Sequence, residues 1–582
     1  MLCALPACST PRERKAEADR DVYGALEVRR PIVPVPVGPL DIDAAEARGR
    51  AARDASNRID LDLEGAVRLA AEASREFRSR REDVYLTALA YTGERHRFEN
   101  QYALGGTATV ARDGSTGTVS GRPEASLSRN LENGASFVLK LATDFLTAFA
   151  GDPATAARTI ISADLIQPLA RGSSREVARE VLTQSERDVL YQMRAFARFQ
   201  QEFTASVATE FLRLLQGRDT IRNEELSAKN LEIVYERAKE FGPDGVGKGR
   251  IPNFEVDQAY QNVLRARDRV ILARQSYEDA LDEMKLTLGL PPTTTLVPRA
   301  DALEALTARG LEPLAFDLPR ALGAAEANRL DLENARDQYV DAVRKVEVAA
   351  DGLGPQVDLR LGGALTGPKT QPLDLKGLRG SGYVGLDVSL PVEREAERNA
   401  FRAALVQEDR ARRAVEQLDD SISVSVRRTW RTLAQARSSY EIQQEGVRIA
   451  SRRVESANMN LELGRAEIRD VLEAEAALVE AKNAATAALI DHAVARLDLE
   501  RDTGTLRPDA WTGTHAGAAA SVPPPFRAGP APAAPSVPFA PSAPSAPPPS
   551  VPPAPSPPAA SAPEPAAPAA PLPPASGSPA PK

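Results

Sequence analysis

The sequence predicts a mainly α-helical chain with a smaller β portion, built by duplicating one long helical hairpin. Three observations carry this prediction. Two alanine-rich heptad seams recur at a constant offset of 215 residues. Before each seam lies a helical stretch of roughly 70 residues, spanning on the order of 100 Å at about 1.5 Å per residue. Before each of those stretches comes strand-like sequence ending in proline.

The seams come first. Ala259, Val263, Ala266, Val270, Ala273, Tyr277, Ala280 and Met284 make one. Ala474, Leu478, Ala481, Ala485, Ala488, His492, Ala495 and Leu499 make the other. Apolar or small residues at alternating spacings of three and four form one stripe of a coiled coil. Alanine at every second seam position lets neighbouring backbones approach closely. Gly289 matches Gly504 at the same offset, and Gly249 to Val256 parallels Gly464 to Val471. Two unrelated amphipathic helices would not keep one offset over so many positions.

The long stretches run from about Ser173 to Phe241 and from about Glu393 to Leu463. The strand-like blocks before them are Ser162–Leu169 and Gly385–Val392, with prolines at Pro168 and Pro391. Further candidate strands are Gln101–Ala111, Ala135–Thr147 and Gln356–Leu365. The halves also open alike, since Leu63, Ala66 and Ala70 share the spacing of Leu318, Ala321 and Ala325. Each half thus reads helix, strands, long helix, tip, shorter helix. The first repeat spans 61–290, a linker 291–313, and the second repeat 314–507. Residues 1–60 are expected to hold a leader and an irregular segment, and 508–582 a disordered Pro/Ala/Ser-rich tail.

Composition excludes several functions. The net charge of −8 gives no basic footprint for nucleic acid. The only cysteines, Cys3 and Cys8, precede the body of the chain, and the three histidines are scattered, so no metal site is expected. No cofactor is expected, and no nucleophile elbow or other enzymatic constellation occurs. Gly242 to Gly249 nearly spells a phosphate-binding loop. It lacks the closing Ser/Thr and follows a helix where a nucleotide fold needs a strand. Leu5-Pro6-Ala7-Cys8-Ser9 has the form of a bacterial lipobox, making Cys8 the candidate lipidation site. No apolar run is long enough for a transmembrane helix. Four or so strands cannot close a barrel alone, and an open sheet edge is forbidden in lipid. Strands entering a membrane would therefore have to be pooled in a closed cyclic oligomer.

The duplicated layout, the strand-proline junctions (Gln167-Pro168-Leu169-Ala170-Arg171-Gly172 among them) and the tip Leu463-Gly464 with Ile468, Asp470, Val471, Leu472 and Glu473 carry a resemblance. Over roughly residues 60 to 507 the chain resembles the TolC-like outer membrane efflux proteins. The resemblance implies a homotrimer with a twelve-stranded transmembrane β-barrel above a periplasmic α-helical barrel. It implies an exit duct of a tripartite efflux or type I secretion system, in outer-membrane lipid. The partners would be a periplasmic adaptor protein and an inner-membrane transporter. The competing reading is a lipid-anchored periplasmic coiled-coil scaffold.

The resemblance also assigns residues. Asp470 and Glu473, three apart on one helix face, would line the periplasmic aperture, with Glu255 matching Asp470 in the first repeat. Gly249, Arg250, Gly464 and Arg465 would form the tip that docks the adaptor. The family's latching arginine, two residues after the tip glycine, corresponds to Ala466, with Arg465 and Arg469 beside it. The first repeat carries about eight extra residues near its tip, mostly Gly242–Lys248, a candidate adaptor contact.

Overall fold

The computed structural model describes residues 10–33, 40–54, 58–114, 116–150, 155–243, 251–299, 301–311, 317–368, 378–390 and 392–508. The tail beyond 508, Cys8, Gly249 and Arg250 therefore lie outside the described residues.

The chain opens with α1 (Pro11–Arg29) and α2 (Ile42–Asp54), followed by β1 (Arg58–Leu61). The expectation of an irregular start is thereby corrected. Thr10 and Glu13 form a reciprocal capping box, and Pro11 supplies a preset φ in the first turn. Val22, Ala25 and Leu26 of α1 are buried in the main core.

The first repeat follows as α3 (Leu63–Ala73), α4 (Arg75–His96), β2 (Gln101–Asp113), β3 (Thr116–Asn130), β4 (Ser136–Ala150), β5 (Thr155–Pro168), a short α5 (Arg175–Ala178), α6 (Glu180–Phe241) and α7 (Asn253–Thr287). The linker segment 291–313 holds β6 (Thr295–Pro298) and α8 (Asp301–Arg309). Strand β6 pairs in parallel with β1, tying the start of the first repeat to its end. The second repeat is α9 (Leu318–Asn328), α10 (Leu330–Asp351), β7 (Gln356–Thr366), β8 (Arg379–Ser389), α11 (Glu395–Glu462) and α12 (Ile468–Asp502).

Both long helices are present, at 62 and 68 residues. The strand count is not four or so: the main sheet has six strands in the order β2-β3-β4-β5-β7-β8, all neighbours antiparallel. The unforeseen strand is β3, whose run of Ser, Thr and Gly with Pro123 at its centre carries little apolar signal.

The heptad seams are the packed faces. Ala259, Val263, Ala266 and Met284 of α7 are buried, as are Ala474, Leu478, Ala488, His492, Ala495 and Leu499 of α12. Helix α6 packs on both α7 and α12, so each hairpin shares its core with the other. Higher up, Phe77 of α4 packs against Phe196, Phe199 and Phe203 of α6, with ring centroids 5.4–5.9 Å apart.

The two matched glycines end their repeats identically. Gly289 and Gly504 have φ of +72° and +71°. At each, the following residue donates its N–H to a carbonyl five residues back, Leu290 to Lys285 (2.8 Å) and Thr505 to Glu500 (2.9 Å). A Cβ on Gly289 would strike the Ala73 carbonyl, and one on Gly504 the Asn328 carbonyl. Those are the last residues of α3 and α9, so the stop signal and its docking partner are duplicated together. Gly504→Ala should cost about 1–3 kcal/mol from left-handed backbone strain alone. Thermal denaturation of the purified protein checks this.

Candidate functional site

Two features of the fold bear on function, the helical tip and the faces of the sheet. At the tip, α11 ends at Glu462, Gly464 turns the chain with φ of +71°, and the Arg465 N–H bonds the Asn460 carbonyl at 2.8 Å. Glu467 caps α12. The Asp470 carboxylate accepts the Glu467 N–H at 3.2 Å, and the Glu467 side chain caps in return. Asp470 is thus partly committed to holding its own helix start. Glu255 stands at the equivalent third position of α7, after Pro252.

Glu473 is more than half exposed and flanked by cations. Arg453 of α11 lies 3.5 Å away and Arg469 4.0 Å away, and Arg469 also reaches Glu467 at 3.5 Å. Exposed pairs of this kind add little stability, yet they offset the charge that Glu473 presents. Arg453 was not singled out from the sequence, because it lies twenty residues before Glu473 and only the hairpin brings the two together. Arg465 is exposed at the same turn. Of the expected tip residues, the structure brings Gly464, Arg465, Asp470 and Glu473 to one hairpin turn, and Glu255 to the other hairpin.

Beneath the tip, the hairpins share one core. Leu231, Val234 and Ala238 of α6 meet Ala259, Val263 and Ala266 of α7 and Ile468, Val471 and Leu472 of α12. A part-buried polar ladder, with Asn223, Glu224 and Glu475 as its buried members, then joins α6 to α12. Asn230 donates to Glu475 (3.2 Å), Asn223 to Asn483 (2.9 Å) and Thr486 to Asp219 (2.6 Å). Glu224 accepts from Asn483 and from Arg269 of α7. Buried polar groups are costly unless paired, so this ladder fixes the register of one hairpin on the other.

The sheet has two chemically distinct faces. Side chains alternate along a strand, and the register places like with like. Tyr102, Leu127, Leu139 and Ala163 form one cross-strand row, and Leu104, Ala125, Leu141, Ile161 and Leu365 form the next. On β8, Val384, Leu386 and Val388 continue this face, each more than half exposed. The opposite face carries the polar groups. Arg122 pairs with Asp144 at 3.5 Å, Asp144 stands in register with Arg158, Arg360 pairs with Asp387, and Tyr383 donates to Asp164 at 2.9 Å. An extensive exposed apolar face on a strand sheet marks contact with lipid or another protein. Among the described residues no helix is long and apolar enough to cross a membrane, and no metal-binding cluster occurs.

Comparison with known proteins agrees with this architecture. Residues 321–505 match the outer membrane efflux protein family. No curated protein matches the sequence. Several solved channels share the fold. The CmeC outer membrane channel of Campylobacter jejuni is 14% identical with a TM-score of 0.56, the match covering 77% of this chain and 86% of that one. The outer membrane protein VceC of Vibrio cholerae is 13% identical with a TM-score of 0.55, covering 76% and 96%. The open-state MtrE outer membrane channel of Neisseria gonorrhoeae is 15% identical with a TM-score of 0.55, covering 76% and 90%. The family and these neighbours are outer membrane channels, not enzymes. Residues 321–505 thus match the outer membrane efflux protein family, and about three quarters of the chain shares the fold of solved outer membrane channels.

Proposed function

We propose that this chain is one protomer of an outer-membrane exit duct, serving a tripartite efflux or type I secretion assembly. The observation that carries the reading is a sheet apolar on one face and charged on the other, joined to helical hairpins of about 100 Å. Lipid suits the first face and a water-filled lumen the second. The helices are long enough to bridge an aqueous compartment. Cargo would arrive from an inner-membrane transporter through a periplasmic adaptor docked at the hairpin tips around Gly464 and Arg465. A lipid chain at Cys8 would add an anchor beside the barrel.

The scaffold reading leaves the apolar face of the sheet without a partner. Fractionation decides between them. The duct requires detergent for extraction from the outer membrane and conducts ions in planar bilayers. Recovery in the soluble periplasmic fraction without detergent, in a form that does not conduct, would sink the proposal.

In this reading Asp470, Glu473 and Glu255 line the periplasmic aperture as acidic rings and favour cations. Asp470→Asn should lower the cation-over-anion preference in bilayer recordings. Glu473→Gln should lower it less, because Arg453 and Arg469 already offset that carboxylate.

A further inference from the structure

We propose that the β2–β3 hairpin is part of the membrane wall, and that β2 of one copy pairs with β8 of the next, so that each copy supplies six strands. The inference rests on reading the chain as an outer-membrane duct. It departs from the four strands per copy that a twelve-stranded trimer requires.

Length is the first argument. Strands β2 and β3 have 13 and 15 residues, at least as long as β7 and β8 with 11 each. About 9–11 tilted residues suffice to cross the hydrocarbon core. The second argument is pattern. Tyr102, Leu104 and Val110 of β2, with Val119, Ala125 and Leu127 of β3, lie on the same apolar face as Leu139 and Leu141 of β4. Arg122, Glu124 and Ser126 lie on the charged face. A hairpin lying outside the wall would have no reason to keep this alternation in phase with the rest of the sheet.

The seating of β3 on β4 is the third argument. The Phe145 ring covers Gly121 and the Phe149 ring covers Gly117, so a Cβ at either glycine would collide with an aromatic ring. Glycine beneath a cross-strand aromatic ring is a device that pins register in curved sheets.

The edges supply the fourth. Strand β2 is exposed along nearly its whole length, and so is β8. Unpaired N–H and C=O groups cannot face lipid. With six antiparallel strands in sequence, β2 and β8 run in opposite directions. Joining β8 to the β2 of a second copy therefore continues the antiparallel ladder without a break. The contact is heterologous, and a rotation that closes makes a ring. Three copies would pool eighteen strands. Barrel diameter grows roughly linearly with strand number, so the cylinder would be about half as wide again as one of twelve strands.

The test places single tryptophans in a W430F/W511F background and reads fluorescence quenching by brominated acyl chains in reconstituted bilayers. Leu104→Trp on β2 and Leu127→Trp on β3 should be quenched as strongly as Leu141→Trp on β4 and Leu361→Trp on β7. Thr107→Trp and Ser126→Trp, on the charged face, should be quenched several-fold less. Quenching at Leu141 and Leu361 but not at Leu104 and Leu127 overturns the inference while leaving the duct intact. Quenching at none of the four overturns the duct reading itself. Cysteine pairs scanned across the seam, with one partner on β2 and the other on β8, should give disulfide-linked copies in at least one register. Failure in every register overturns the β8–β2 seam. Native mass spectrometry in detergent should show three copies, and a two-copy complex would overturn the count of eighteen.

Discussion

Asp341→Ala should lower the stability of the folded chain by about 3–5 kcal/mol, the cost of removing one partner from a buried charge network. Asp341 of α10 is buried and sits at the centre of one. It accepts the Tyr191 hydroxyl at 2.5 Å and an Arg344 N–H at 2.9 Å, and it pairs with Arg187. Arg344 in turn holds Glu180 at 2.5 Å, at the first residue of α6. Burial and the bond to Asp341 hold the Tyr191 phenol above its ordinary value, so it stays a donor. The substitution leaves two guanidiniums and a phenol without their shared acceptor, where α10 clamps the top of α6. Thermal unfolding in detergent should show a lower midpoint, and Asp341→Asn, which keeps an acceptor oxygen, should lose less. An unchanged midpoint for Asp341→Ala would mean that this network does not hold α10.

Phe196→Ala comes next, with an expected loss of about 3–5 kcal/mol. The ring is 1% exposed and packs edge-on against Phe77 at 5.5 Å. Its removal opens a cavity between α4 and α6 that rigid helices cannot fill by collapsing. Phe199→Ala should cost less, since Phe199 is only partly buried against the same core and lies beneath Arg80 at 5.4 Å. Denaturant titration distinguishes the two, and equal losses would argue against a cavity cost specific to the fully buried ring.

Much of this fold was legible because its periodicities are long. The heptad seams around Ala259 and Ala474 repeat often enough to exclude chance, and they are the packed faces of α7 and α12. Gly289 and Gly504 were visible as a pair, and the structure supplies the reason: both occupy the same left-handed turn. What escaped was local chemistry without period. The Thr10-Pro11-Arg12-Glu13 start of α1 is a short capping signal among surrounding prolines, with no period to mark it. Strand β3 alternates serine, threonine and glycine with small apolar residues, so its hydrophobic contrast is weak. A spacing signal did exist. Leu63 and Pro168 are 105 residues apart, whereas Leu318 and Pro391 are 73 apart. The excess is close to the length of the hairpin from Gln101 to Asn130. At the tip, Asp470 and Glu473 could be named from sequence, but Arg453 and the Asn230–Glu475 pair depend on contacts between distant helices.

The duplicated glycine turns have a consequence for how such a chain can change. In each repeat the exit is seated on the entrance, Gly289 against the end of α3 and Gly504 against the end of α9. Everything between is an excursion, out to the sheet and back, then out to the tip and back. An excursion can lengthen at its far end without moving its fixed root, and lengthening a loop adds little closure entropy. The first repeat is the longer at both ends, by a strand pair in the sheet and by about eight residues near the tip. The second takes the shorter path. Growth of this kind lets one half of a duplicated gene acquire new surface while the other preserves the frame.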